Sequence, residues 1–190
     1  DNDFDDNKKI FKKSISSSLF GSFNIENILV TYAVCKILNI NEKNFINLVK
    51  NFKGLPHRLE RIYQNTNFQI VNNSKATNII STLKAISNYE NIRLIIGGRA
   101  KENNFNQILK HKKKIIKIYT IGESSSLIYK QLKSEIKCEM FETIQMAINK
   151  IFFEIKKDNF FQTILFSPAC TSFDQFKNFE KRGNHFKLLV

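Results

Sequence analysis

From Leu55 to the end of the chain, short apolar runs alternate with stretches in which apolar residues recur every three or four positions. The first pattern suits buried strands and the second amphipathic helices. It predicts strands at 58–63, 68–72, 92–96, 115–120 and 160–166, with a short one near 136–138. Helices are predicted over 77–87, 103–111, 124–133, 140–154 and 173–181. This alternation predicts an α/β fold, a Rossmann-like, mostly parallel sheet with helices on both faces. Ile92–Ile96 and Phe160–Phe166 are almost uninterrupted apolar runs, so they are predicted to be central and adjacent strands.

Before Leu55 the pattern differs. Helical spacing runs from Ile28 to Leu38 and stops at Asn39, with Asn24 as a candidate N-cap. A second helix is predicted from Glu42 to Phe52, ending at Gly54. The change of pattern places a domain boundary there, dividing the chain into 1–54 and 55–190. Residues 1–18 are polar and Ser-rich, with Ile10, Phe11 and Ile15 as anchors, and read as an edge strand or loop. A start without Met inside a polar tract predicts a piece of a longer protein.

Three polar junctions follow apolar runs: Asn72–Asn78, Gly97–Lys101 and Ser167–Ser172. Loops at the carboxyl ends of strands gather backbone N–H groups and positive helix ends, and are where ligands bind in open α/β sheets. With Arg58 they supply donors suited to an anion: Lys75, Thr77, Lys101 and Ser172. A small carboxylate or a nucleotide phosphate would fit this set. The residues alone equally allow Thr77 to be an N-cap and the two lysines to be surface groups.

The chain has 190 residues, 42% of them hydrophobic, enough for one full domain and part of another. No apolar run approaches the ~18–20 residues of a membrane span, so a soluble, cytoplasmic protein is expected. The three cysteines show no Cys-x-x-Cys spacing, which argues for free thiols, with Cys170 packed after a buried strand. A net charge of +13 invites nucleic acid, yet only His111–Lys114 is a dense block, which reads as a solvated loop. Neither G-x-G-x-x-G nor G-x-x-x-x-G-K-[ST] occurs, and no cluster of His and Cys suggests a metal site.

Five motifs, in order, resemble the ATP-dependent Mur ligases of peptidoglycan synthesis: Gly21–Asn27 (GSFNIEN), Gly54–Glu60 (GLPHRLE), Asn72–Asn78 (NNSKATN), Gly97–Lys101 (GGRAK) and Ser167–Gly183 (SPACTSFDQFKNFEKRG). The last resembles the branch that adds D-glutamate. The resemblance implies that 1–54 is the tail of the central ATPase domain and 55–190 the C-terminal Rossmann-like domain. It implies the substrates UDP-N-acetylmuramoyl-L-alanine, D-glutamate and ATP, with Mg2+ held mainly by residues that precede this stretch. A monomer, without nucleic-acid or membrane partners, is implied too.

Carried over residue by residue, Asn24 and Asn27 match the adenine side of the nucleotide site. Arg58 matches the arginine near the ATP phosphates and Asn73 the ribose position. Thr77, Lys101, Ser172, Phe173 and Phe179 match the D-glutamate pocket, with Lys75 beside it. Three departures stand out: Asn73 replaces the usual Asp, Phe23 the usual His, and Phe173 a common Leu. A non-catalytic remnant of such a ligase and a basic nucleic-acid-binding module are the alternative readings.

Overall fold

A computed structural model of the chain describes residues 22–190; the expected edge strand or loop at 1–18 lies outside them. The chain divides into two compact units, one ending at Leu55 and the other running from Pro56 to Val190.

The first unit carries helices α1 (Ser22–Ile37) and α2 (Glu42–Asn51). Ile28, Leu29, Tyr32, Phe45 and Val49 form its small core, with Ile25, Cys35 and Ile46 packed against it. The apolar stripe therefore reaches back to Ile25, one turn before Ile28. The helix is already under way at Ser22, so Asn24 lies inside it and cannot be its N-cap. Helix α2 has an unambiguous cap: the Asn41 side-chain oxygen accepts from the Lys43 N–H at 2.9 Å.

The second unit is a six-stranded sheet of β1 (Glu60–Gln64), β2 (Phe68–Asn72), β3 (Ile92–Gly97), β4 (Ile115–Ile121), β5 (Cys138–Met140) and β6 (Gln162–Phe166). Its order is β1-β2-β6-β3-β4-β5. Only β1 runs antiparallel, against β2; every other pairing is parallel. Strands β3 and β6 are neighbours at the centre and buried at every residue, as their apolar runs predict. The connections are α3 (Ile79–Ile86), a 3-10 segment (Asn106–Lys114), α4 (Ser125–Leu132) and α5 (Ile144–Ile155), and α6 (Phe179–Leu188) closes the chain.

Side chains alternate between the two sheet faces along each strand. Ile70, Ile95, Tyr119, Ile121, Ile164 and Phe166 pack with α5 and with Phe186 of α6 in one core. On the second face α4 packs against β3 and β4, while the 3-10 segment packs against β4 and α3. The α/β architecture with helices on both faces is the one the alternating pattern predicts.

Several boundaries depart from the expected ones, each for a local reason. Strand β1 starts at Glu60, because His57 (φ 62°) and Leu59 (φ 46°) take left-handed backbone conformations. Helix α3 starts at Ile79 because Asn78 is its cap, accepting from Ser81 N–H at 2.8 Å; Thr77 is not the cap. The segment expected as a helix over 103–111 is a 3-10 stretch broken at His111. Helix α5 begins at Ile144, after the cap Thr143, and β5 lies two residues later than expected.

Strand β6 opens at Gln162, whose buried amide accepts from Arg93 Nε at 2.7 Å, and Phe160 and Phe161 are left exposed. The largest shift concerns 173–181. There the Ser172 carbonyl accepts from the N–H groups of Gln175 and Phe176 in a tight turn. Asn178 then caps α6 by accepting from Lys181 N–H at 2.8 Å.

Candidate functional site at the strand ends

The loops after β3 and β6 are stitched together. Gly97 N–H donates to the Pro168 carbonyl at 2.9 Å, Arg99 N–H to Thr171 O at 3.0 Å, and Thr171 N–H back to Arg99 O at 2.9 Å. The Thr171 hydroxyl adds a bond to Arg99 O at 2.9 Å. Gly97 (φ 135°) and Gly98 (φ 131°) make this approach possible, since a Cβ there would sit 2.0 Å from Ile121 O and 2.4 Å from Thr171 O respectively. Lys101 follows Arg99 by two residues and Ser172 follows Thr171 by one, so both lie on one rim of the sheet. Lys101 is exposed and Ser172 is buried; the next residue, Phe173, points largely to solvent.

The loop after β2 is fixed by its own asparagine. Asn72 accepts from Ser74 N–H at 3.1 Å and donates to the Gly183 carbonyl at 3.0 Å. These two bonds settle which end of the amide is NH2, and that NH2 also lies 3.1 Å from His57 Nδ1. The imidazole therefore accepts at Nδ1 and is neutral; burial, then the Lys187 charge, push its pKa down. The Ser74 hydroxyl donates to the Phe179 carbonyl at 2.8 Å. Beside it the exposed Lys75 ammonium lies 3.8 Å from the centroid of the Phe179 ring. Lys75 and Phe179, which are 104 positions apart in the chain, thus meet in space, with half-buried Thr77 two residues further along.

Lys75 N–H donates to the His57 carbonyl at 3.1 Å, which lays the turn carrying Arg58 along this loop. Arg58 is exposed. Asn73 is turned inward: its oxygen accepts from Leu59 N–H at 3.2 Å and its NH2 donates to Ser167 Oγ at 3.0 Å. Both ends of that amide are engaged within the protein, so it braces the Arg58 turn against the end of β6. Asn24 and Asn27 belong to the other unit, three residues apart on one face of α1.

Arg182 is the principal residue that sequence reasoning passed over. It is only 2% exposed, and lies under all three loops. Its Nε donates to Ser74 Oγ at 3.1 Å, and its Nη2 to Ser74 O at 2.9 Å and Cys170 O at 3.0 Å. Burial lowers its pKa to about 10, still well above neutrality. The available signal was the period Phe179, Arg182, Gly183, Phe186, the i, i+3, i+4, i+7 face of a helix. With a helix expected over 173–181, that face was out of view. Gly183 is equally constrained, because a Cβ on it would lie 2.3 Å from His57 Nδ1.

The chemistry available here is recognition and charge stabilisation. Cationic and hydroxyl donors line the strand ends. The one cysteine nearby, Cys170, is fully buried, and burial pushes its thiol up to about 11, so it holds its proton at neutral pH. Among the described residues there is no group of three or more His, Cys, Asp and Glu side chains able to hold a metal ion. No described helix is long and apolar enough to cross a membrane. In the basic block, Lys112 pairs with Glu135 at 2.7 Å and Lys114 with Glu90 at 2.6 Å.

A mostly parallel α/β unit with donor-bearing loops gathered at its strand ends is a domain of the Rossmann-like class. No family model matches the chain. It is 40% identical over 189 residues to a UDP-N-acetylmuramoylalanine–D-glutamate ligase of Prochlorococcus marinus, covering 96% of this chain and 40% of that protein. The enzyme of the same name from Wolbachia pipientis is 42% identical over 163 residues, covering 86% of this chain and 32% of the relative. The chain thus spans about 40% or less of the length of these relatives. The fold is shared with solved ligases at low identity. UDP-N-acetylmuramate–alanine ligase of Thermotoga maritima aligns over 88% of this chain and 37% of its own, with TM-score 0.62 and 16% identity. MurF from Acinetobacter baumannii aligns over 88% and 38%, with TM-score 0.66 and 13% identity. The chain is thus similar to Mur ligases, and its sequence likeness runs to the D-glutamate ligases among them.

Proposed function

We propose that this chain is the C-terminal portion of the ATP-dependent ligase that joins D-glutamate to UDP-N-acetylmuramoyl-L-alanine in the cytoplasm. Pro56–Val190 is then the domain that presents D-glutamate, and the unit ending at Leu55 is the tail of the central ATPase domain. The observation that carries this reading is the pairing of Arg99 with Thr171, which sets the Lys101 and Ser172 loops side by side, within motifs like those of the D-glutamate ligases.

In this reading ATP phosphorylates the L-alanyl carboxylate, and the D-glutamate amine attacks the acyl phosphate and releases phosphate. The role of this chain is positioning and electrostatics. Lys101, Thr77 and Ser172 hold the carboxylates of the amino acid, while Lys75, Phe179 and Phe173 form the wall of the pocket. Arg58 faces the transferring phosphate, and Asn24 and Asn27 the adenine. The inward bonds of Asn73 favour a bracing role over direct contact with ribose. One of the structural neighbours, a folylpolyglutamate synthase/dihydrofolate synthase of Yersinia pestis with TM-score 0.62, was solved with AMPPNP and Mn, which supports a nucleotide with a divalent metal. The donors at these strand ends are cationic or hydroxylic and do not suit Mg2+, so no step here is assigned to the metal.

The test is a ligase assay on this chain joined to the preceding portion of the Prochlorococcus marinus relative. D-glutamate-dependent ADP release with amide formation is the expected result. Equal turnover with L-glutamate, or activity only with a different amino acid, would overturn the assignment.

A further inference from the structure

Arg182 touches two peptide groups whose other ends hold the two loops that carry the cations. The Ser74–Lys75 peptide gives its carbonyl to Arg182 Nη2, and its N–H bonds the His57 carbonyl. The Cys170–Thr171 peptide gives its carbonyl to the same Nη2, and its N–H bonds Arg99 O. A peptide plane is rigid, with C=O and N–H pointing opposite ways, so fixing the carbonyl aims the N–H. One guanidinium nitrogen therefore sets the register of the Arg58 turn on one side and of the Arg99–Lys101 loop on the other. Arg58 follows His57, Lys75 belongs to the first peptide, and Ser172 follows the second.

Two further facts separate Arg182 from an ordinary buried cation. Its side chain forms no salt bridge among the described residues, and buried charges are otherwise paired. Its Nη1 is buried without a hydrogen-bond partner and lies 3.1 Å from where a Cβ on Gly98 would be. Within hydrogen-bond distance its charge meets only carbonyl and hydroxyl dipoles, with the Asp174 carboxylate acting on it from further off, so a positive field reaches the loops above it.

We infer that Arg182 is the positioning residue of the anion site: through the Ser74–Lys75 and Cys170–Thr171 peptides it holds Arg58, Lys75, Lys101 and Ser172 in register, and its charge, which no salt bridge among the described residues neutralises, favours a carboxylate there. The positioning half stands on the hydrogen bonds alone. The carboxylate half rests on the proposed D-glutamate reading.

The experiment uses the whole chain, with amide hydrogen exchange and D-glutamate titration followed by 1H–15N NMR. Arg182→Lys keeps the charge but not the fork, since a single ammonium cannot serve Ser74 Oγ, Ser74 O and Cys170 O in this geometry. Faster exchange is expected at the Lys75 and Thr171 amides, with the central strands unchanged, and D-glutamate affinity should fall about tenfold or more. Unchanged exchange at both amides would overturn the positioning role. Weakened exchange protection with D-glutamate affinity kept within twofold would overturn the link from register to binding, and equal affinity in Arg182→Lys and in Arg182→Gln, which removes the charge, would overturn the carboxylate role. If the wild-type chain shows no response to D-glutamate, the D-glutamate reading and the carboxylate half fall together, while the exchange arm still decides the positioning half. Should Arg182→Lys fail to fold, the wild-type guanidinium decides: separate, slowly exchanging Nη1 and Nη2 signals are expected, and a freely rotating group with averaged signals would contradict the inference.

Discussion

The Lys75 ammonium and the Phe179 ring are held 3.8 Å apart, centroid to nitrogen, although one follows β2 and the other opens α6. The contact is anchored from below by the Ser74 hydroxyl bond to the Phe179 carbonyl. An exposed cation–π contact is worth ~0.5–1 kcal/mol, too little to hold the fold but enough to orient a lysine. Phe179→Leu is therefore expected to shift the unfolding free energy by no more than about 1 kcal/mol, while weakening D-glutamate use severalfold. Denaturant unfolding paired with D-glutamate kinetics in the joined ligase checks this, and the reverse ordering of the two effects would count against it.

The close passage of α6 over His57 sets a second expectation. Gly183→Ala would put a methyl 2.3 Å from His57 Nδ1, between groups tied down by Asn72. Overpacking of this kind costs about 1–3 kcal/mol. The urea midpoint of the chain should fall accordingly, with the m-value unchanged. A midpoint equal to the wild type would mean that α6 can shift away freely.

At the opposite end of the sheet a charged network predicts acid sensitivity. Arg93 bonds Glu154 at 2.8 Å and Asp158 at 2.6 Å, and Lys117 bonds Glu154 at 2.6 Å. Burial alone would raise the Glu154 pKa, but the hydrogen bonds from Lys117 and Tyr119 and the nearby Lys117 and Arg93 charges outweigh it and hold the carboxyl at about 2. A folded-state pKa below the ordinary value of 4.5 stabilises the fold above that value. The contribution is lost as pH falls from 4.5 towards 2. It amounts to about 3.5 kcal/mol at most, at ~1.4 kcal/mol per pKa unit. Unfolding free energy measured across that range should decline, and Glu154→Gln should flatten the decline; an equal slope in the variant would place the acid sensitivity elsewhere.

The sheet was legible because its central strands, Ile92–Ile96 and the second half of Phe160–Phe166, are buried on both faces and so read as continuous apolar runs. The ligand-facing loops were legible as polar clusters directly after those runs. What one sequence conceals is pairing over distance. Gln162 is polar within an apolar run, yet it starts β6, where Arg93 reaches it. Asn78 and Thr77 are both of cap-forming type, and the backbone geometry selects Asn78. Arg182 reads as a surface residue because arginine is rarely buried, and its partners Ser74 and Cys170 lie 108 and 12 positions away. The turn at Ser172–Phe176 moved α6 several residues on, hiding the periodicity that would have revealed it.

Whether the strand-end loops form one D-glutamate carboxylate site is measured most directly by a D-glutamate titration of the chain, wild type beside Lys101→Ala. Shifts are expected to gather at the amides of 74–77, 99–101 and 171–173. Lys101→Ala should weaken binding by about 10- to 150-fold, the equivalent of losing one charge-assisted bond of ~1.5–3 kcal/mol. Shifts confined to other parts of the sheet, or L-glutamate binding with the same affinity and pattern, would contradict such a site.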